Sequence, residues 1–332
     1  MTTTPPTGRP TADATDLDDL GLVAARPLLR SPIDVVFRLA PGDRPLVGVG
    51  ESVVPGARIA ERLRDPTLAD LSLPAAAAHA PGVRVAAGEL LFEWRGRWRI
   101  AGGEVHEPLE TPVAGIVRDV RPGSAITLAA EGRALRGVTV LGGPARGRLA
   151  LAAARDGELR TTGLDVGSAG TILVVGSRVD AETLTRARAM GVRGIIVSGL
   201  ASKERRDFAA SEKRQRAALH RLAPFAVLIL DGAARRPIAS PVMAVLTAMV
   251  GRDVAIVDDP PALVIDVAGS LPRPAPDLVR VRGGESAGRE GRFVRLLGPR
   301  RFVGGVQHEA ALVRLEDGTA VAVPLGDLER FI

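Results

Sequence analysis

The hydrophobic period of the chain changes near residue 168, and that change limits the folds open to it. Before this point apolar residues come in short runs broken by glycine: IDVVFRL from Ile33, PLVGVG, GVRVAAGELLFEWRGRWRI, AGIVRDV, SAITLAA and RGVTVLGG. Runs of that length read as β-strands. Beyond it, strand-like runs alternate with helical ones. GTILVVGS (170–177), VRGIIVSG (192–199), FAVLILDG (225–232) and DVAIVDD (253–259) read as strands. DAETLTRARAMG (180–191) reads as a helix capped by Asp180 and stopped by Gly191, and SPVMAVLTAMVG (240–251) as one opened by Ser-Pro. A long basic helix is expected from about Ser202 to Leu222. Such alternation predicts an α/β layer with a mostly parallel sheet, whose ligands gather beyond the carboxyl ends of the strands.

The expected organisation is multidomain α+β. Residues 1–30, rich in Thr, Pro and Asp, show no sustained apolar period and are expected to form a flexible tail. A β-rich domain is expected over 31–165 and the α/β domain over 166–268. SLPRPAPD (270–277), with three prolines in eight residues, marks a linker over 269–278 before a last small unit at 279–332.

Within the β-rich region one spacing recurs: Val53-x-x-Gly56-x-x-Ile59, Val85-x-x-Gly88-x-x-Leu91 and Val120-x-x-Gly123-x-x-Ile126. Each copy sets a glycine turn between two inward apolar residues. GVGESVVPGARIA and LETPVAGIVRDVRPGSAITL together resemble the barrel-sandwich hybrid fold of biotinyl and lipoyl carrier domains, over roughly residues 45–140. In that family a lysine at a hairpin tip before the Pro-x-x-Gly segment carries the prosthetic group. Here GGEVHEPLETPVAG holds none, and the first lysine of the chain is Lys203. No cofactor is therefore expected. Trp94 and Trp98, in FEWRGRWRI, are expected on one strand face, packed across the hairpin.

The closing segment has Val279 and Val281 in a first strand, Gly288 and Gly291 about a tight turn, Val294 in the next strand, and ALVRLEDGTAVAVPL as a hairpin turning at Asp317-Gly318. It resembles a KOW motif in a small SH3-like barrel, the unit that ends NusG-type elongation factors and occurs in several ribosomal proteins. The resemblance implies contact with RNA, the ribosome or RNA polymerase. Arg289, Arg292, Arg295, Arg300 and Arg301 are the candidate phosphate contacts.

A second basic feature is ASKERRDFAASEKRQRAALHRL, with seven bases against three acids. Lys203, Arg206, Lys213 and Arg216 are its candidate contacts; Arg206, Lys213 and Arg216 fall near one helix face, and Phe208, Leu219 and Leu222 are free to pack. The turn Gly176-Ser177-Arg178, at a strand end, is a weaker anion candidate.

Composition removes much chemistry. With no cysteine there is no thiolate ligand or thiol nucleophile, and four histidines without helical i, i+4 pairing make no HExxH zinc site. Only two lysines occur, so no GxxxxGK[ST] phosphate loop exists. The longest apolar stretch, PVMAVLTAMV (241–250), is about half a bilayer span, and the N-terminus has no signal-peptide apolar core. A cytoplasmic protein without membrane contact is expected. The sequence thus points to a non-catalytic binding protein of the transcription or translation machinery that contacts RNA, DNA or a nucleoprotein. Two alternatives stand beside it: a scaffold holding protein partners, and a protein or enzyme binding a phosphate-bearing small molecule in the α/β domain.

Overall fold

The computed structural model describes residues 17, 20–40, 43–64, 76–77, 90–94, 97–100, 105–218, 223–266 and 271–332. Among them the chain is mostly β, with several sheets and three α-helices. It divides into two compact units, Leu28–Pro272 and a terminal unit made of residues 1–27 and 273–332. The second cut, at 272/273, falls inside the proline-rich stretch read as a linker.

In the larger unit, β1 (Ile33–Arg38), β2 (Gly115–Arg121) and β3 (Ala125–Ala130) form an antiparallel sheet in the order β1, β3, β2, with Ser52–Val53 along the β2 edge. Alternation along β1 sends Ile33, Val35 and Phe37 inward while Asp34 and Arg38 stay exposed. A second antiparallel sheet joins Arg44–Pro45, Arg58–Arg64 and Val105–Glu110. Its Ile59, Ala60 and Leu109 share one core with Val35, Phe37, Ile126 and Leu128 of the first sheet. Full burial of such a side chain contributes roughly 1.5–3 kcal/mol, so this shared core is what binds the two sheets together. The recurring glycine spacing explains their corners. Gly56 and Gly123 turn at φ 87° and 66°, with Ile59 and Ile126 fully buried just beyond. In the third copy, Val85 and Gly88 lie outside the described residues.

The hairpin of Leu90–Trp94 and Arg97–Ile100 pairs Trp94 with Arg97 and Glu93 with Trp98. The side chains of Trp94 and Trp98, and with them the packing expected across this hairpin, lie outside the described residues.

The largest sheet has eight strands. Its members are β4 (Arg133–Arg136), β5 (Thr139–Gly142), β6 (Ala145–Leu151), β7 (Thr171–Val174), β8 (Gly194–Gly199), β9 (Ala226–Gly232), β10 (Asp253–Asp258) and β11 (Pro261–Ile265). Their order is β4, β11, β10, β6, β7, β8, β9, β5. Only β6, β7, β8 and β9 run parallel; the outer pairings are antiparallel. The sheet is thus mixed, because DVAIVDD folds back through Asp259-Pro260 and pairs with PALVI as a hairpin instead of adding a parallel strand. It also takes β4, β5 and β6 from before residue 165, so no seam falls at 165/166. Helices α1 (Ala181–Ala189), α2 (Ser202–Ala218) and α3 (Ser240–Ala248) are the crossover elements.

In the terminal unit, β12 (Leu278–Val281), β13 (Glu290–Arg301), β14 (Gln307–Leu315), β15 (Ala320–Pro324) and β16 (Leu328–Phe331) form one sheet. The order is Ala24–Arg26, β16, β12, β13, β14, β15, and a 3-10 turn at Leu325–Asp327 links β15 to β16. Val279, Val281, Val313, Leu315 and Leu328 make the core, together with Leu17 and Val23. The tail reading of residues 1–30 therefore fails at its far end: Ala24–Arg26 pairs in parallel with β16, and Val23 is buried. A three-residue strand is too short to show a period of its own. Among the described residues no helix is long and apolar enough to cross a membrane.

Candidate nucleic-acid interface

Helix α1 starts at Asp180, whose Oδ1 accepts the Thr183 N–H at 2.6 Å. One flank of it packs against α2 while Glu182, Arg186 and Ala189 stay exposed, and the contact between the two helices is largely polar. Glu204 Oε2 accepts the Ala181 N–H at 2.8 Å, and Thr185 Oγ1 lies 3.2 Å from Ser211 Oγ. Arg188, with a side chain only 5% exposed, donates to Gln215 Oε1 and lies 3.9 Å from Glu212 Oε1. Its guanidinium also sits 5.4 Å over the Phe208 ring, which meets Phe225 at 5.9 Å. Phe208 is the one fully buried apolar side chain among the described side chains of α2.

These contacts fix which side of α2 faces outward. Lys203, Arg206, Lys213 and Arg214 are all exposed, and at 3.6 residues per turn they fall within about a third of the circumference. None of the four makes an ion pair with another described residue. Arg216 belongs to the helix, but its side chain, like Leu219 and Leu222, lies outside the described residues. Arg214 was missed in the sequence, although it sits at a four-residue step from Ala210 on the same outward side.

The five arginines of the terminal unit separate into two groups. Arg289 is bonded to Asp317, and Arg292 Nη1 lies 3.0 Å from Asp277 Oδ2. Asp317 also accepts the Thr319 N–H at 3.0 Å; that bond, with the Arg289 guanidinium, holds its carboxyl below the ordinary carboxylate value. Arg295, Arg300 and Arg301 are exposed and have no ion-pair partner among the described residues. Buried Arg280 faces Glu329 across β12 and β16 at 3.4 Å, so it serves the interior of the unit.

The Gly176-Ser177-Arg178 turn has its groups already engaged. Ser177 is 4% exposed; its N–H donates to Gly157 O at 2.8 Å and its hydroxyl to Asp156 O at 2.8 Å. Arg178 Nε lies 3.2 Å from Glu158 Oε1. At Gly176 (φ 75°) a Cβ would stand 2.3 Å from Ala154 O. The turn therefore clamps the 154–158 segment with the donors an anion would need. Nearby, Ser198 Oγ lies 3.2 Å from Asp231 Oδ2 at the carboxyl end of the parallel strands.

No protein-family model matches the chain, and no curated protein matches it either.

Proposed function

We propose that the protein is a non-catalytic binder of RNA, DNA or a nucleoprotein of the transcription or translation machinery. The observation that carries this reading is the outward face of α2, where Lys203, Arg206, Lys213 and Arg214 stand exposed without ion-pair partners while the opposite face is taken up by α1. Bases held on one side of a rigid helix can neutralise neighbouring phosphates and release their counterions. Arg295, Arg300 and Arg301 supply a second set on the terminal unit.

The terminal unit supports the same reading through its topology. Its strands in the order β16, β12, β13, β14, β15, with a 3-10 turn between β15 and β16, support the reading of this unit as a small SH3-like barrel. Two small antiparallel sheets around one core support the barrel-sandwich hybrid reading of the region around residues 45–140. Both likenesses concern the fold, and the functional reading rests on the charge.

The test is fluorescence anisotropy with labelled RNA and DNA, single-stranded and duplex, across a salt series. The wild-type chain is expected to bind, with affinity falling as salt rises. Lys203→Glu/Arg206→Glu/Lys213→Glu is expected to weaken binding by more than about tenfold and to flatten the salt dependence. Absence of binding to every probe at low salt would reject the proposal.

A further inference from the structure

The outer end of the β13–β14 hairpin is a two-stranded arm. β12 pairs with β13 only at residues 290–292, and β15 pairs with β14 only at 310–314. The rungs Pro299–Glu309, Arg300–His308 and Arg301–Gln307 have no third strand beside them. Every residue from 299 to 309 is exposed except Phe302, which is half-buried. The tip is shaped by two backbone bonds, Phe302 N–H to Val306 O and Gly305 N–H to Phe302 O, both at 3.0 Å. Phe302 also sits 6.1 Å from the His308 ring. At the end stands Val303, wholly exposed at 101%, with Val306 at 54%.

We infer that this arm enters the major groove of duplex DNA tip-first, with Val303 at the groove floor and Arg300 and Arg301 on the two phosphate walls. The inference rests on the nucleic-acid reading above and adds the kind of duplex and the element that reads it.

Dimensions favour this mode. A two-stranded ribbon with its side chains is about 10 Å thick, and the B-form major groove is about 12 Å wide and 8.5 Å deep. Arg301 and Arg300 lie two and three residues from Val303, about 7 and 10 Å along an extended chain, so with Val303 at the floor of a groove about 8.5 Å deep both stand near its lip. Neighbouring residues on a strand point to opposite faces, so Arg300 and Arg301 face opposite walls. An apolar tip suits the floor, where the thymine methyl is exposed. A-form RNA has a deep and narrow major groove that would not admit the ribbon. Charge points the same way, since the arm carries these two arginines against Glu309 alone.

The decisive experiment measures anisotropy of the full-length chain with duplex DNA and duplex RNA of one sequence across a salt series, for wild type, Val303→Asp and Arg300→Ala/Arg301→Ala. All the altered side chains are exposed, and unchanged thermal melting will confirm intact folding. Wild type is expected to prefer duplex DNA. Val303→Asp should weaken that binding by about tenfold or more. The double variant should lower the slope of log affinity against log salt by about 2. DNA binding unchanged in both variants, or a preference for duplex RNA, would overturn the arm while the broader reading stands if Lys203→Glu/Arg206→Glu/Lys213→Glu still loses binding. If wild type binds no nucleic acid at all, both fall.

Discussion

Arg188 shows how much of the α1–α2 contact depends on one side chain. It is buried, bonded to Gln215, close to Glu212 and stacked on Phe208. Removing it takes away the bond to Gln215, the approach to Glu212 and the packing on Phe208 together, a loss of about 2–4 kcal/mol at a buried site. Arg188→Ala should lower the denaturant midpoint accordingly. Arg188→Lys should recover only part of the loss, because an ammonium cannot both stack and reach two partners. Gly176 is constrained by space and by backbone. Gly176→Ala would force a Cβ against Ala154 O in a left-handed conformation and should cost about 1–3 kcal/mol, read as a lower melting temperature. Asp317 gives a pH signature. Its folded carboxyl titrates below 3.8, the ordinary value, so its contribution to stability is complete above that value. As pH falls through the lower, folded value, the contribution disappears. The stability of the terminal unit should therefore decline less steeply over that acid range in Asp317→Asn, measured by chemical denaturation at successive pH values.

At the scale of elements, the β13–β14 arm makes a prediction independent of any ligand. Two strands alone are marginal in water, whereas residues 311–314 of β14 have neighbours on both sides. Amide exchange at Arg300, Arg301 and His308 should be faster by orders of magnitude than at Val313, measured residue by residue by NMR. Equal protection would mean that the arm is held by something other than its own ladder. The arm was hard to see in the sequence, because GPRRFVGGVQHE gives the turn through its glycines but not the point where neighbouring strands stop pairing. Helix α1 was legible through its cap, since Asp180 acts on residues three positions away. Helix α2 was legible in its start and its charge, while residues 219–222 of its expected span lie outside the described residues. Its packing was not: the described inner face is Glu204, Phe208, Ser211, Glu212 and Gln215, a polar stripe that hydropathy reads as solvent-facing. The anion turn failed as a reading for a similar reason. Ser177 and Arg178 have the right chemistry, but their partners at 156–158 lie about 20 residues earlier.

At the scale of the whole molecule, the chain leaves the terminal unit at Pro27 and returns to it at Arg273. Pairing across that separation is invisible to any local window, which is why a short segment in a polar N-terminus read as tail. The consequence is testable. Ala24–Arg26 lies parallel to β16, and the Ile332 N–H donates to Arg26 O at 3.1 Å. Leu17 and Val23 are each 5% exposed within the core of the terminal unit. Deleting residues 1–27 removes both side chains and opens the β16 edge, a loss of about 3 kcal/mol from apolar burial. Exchange of the Val313 amide should then accelerate roughly a hundredfold when it proceeds through unfolding of the terminal unit. The Ile195 amide, in the core of the other unit, should keep its wild-type rate. Unchanged protection at Val313 would make the N-terminal strand an attachment to the sheet and not part of its stability. Acceleration at Val313 alone would establish that the core of the terminal unit is completed by residues 17–26, so that a fragment starting at residue 273 would lack part of its own core.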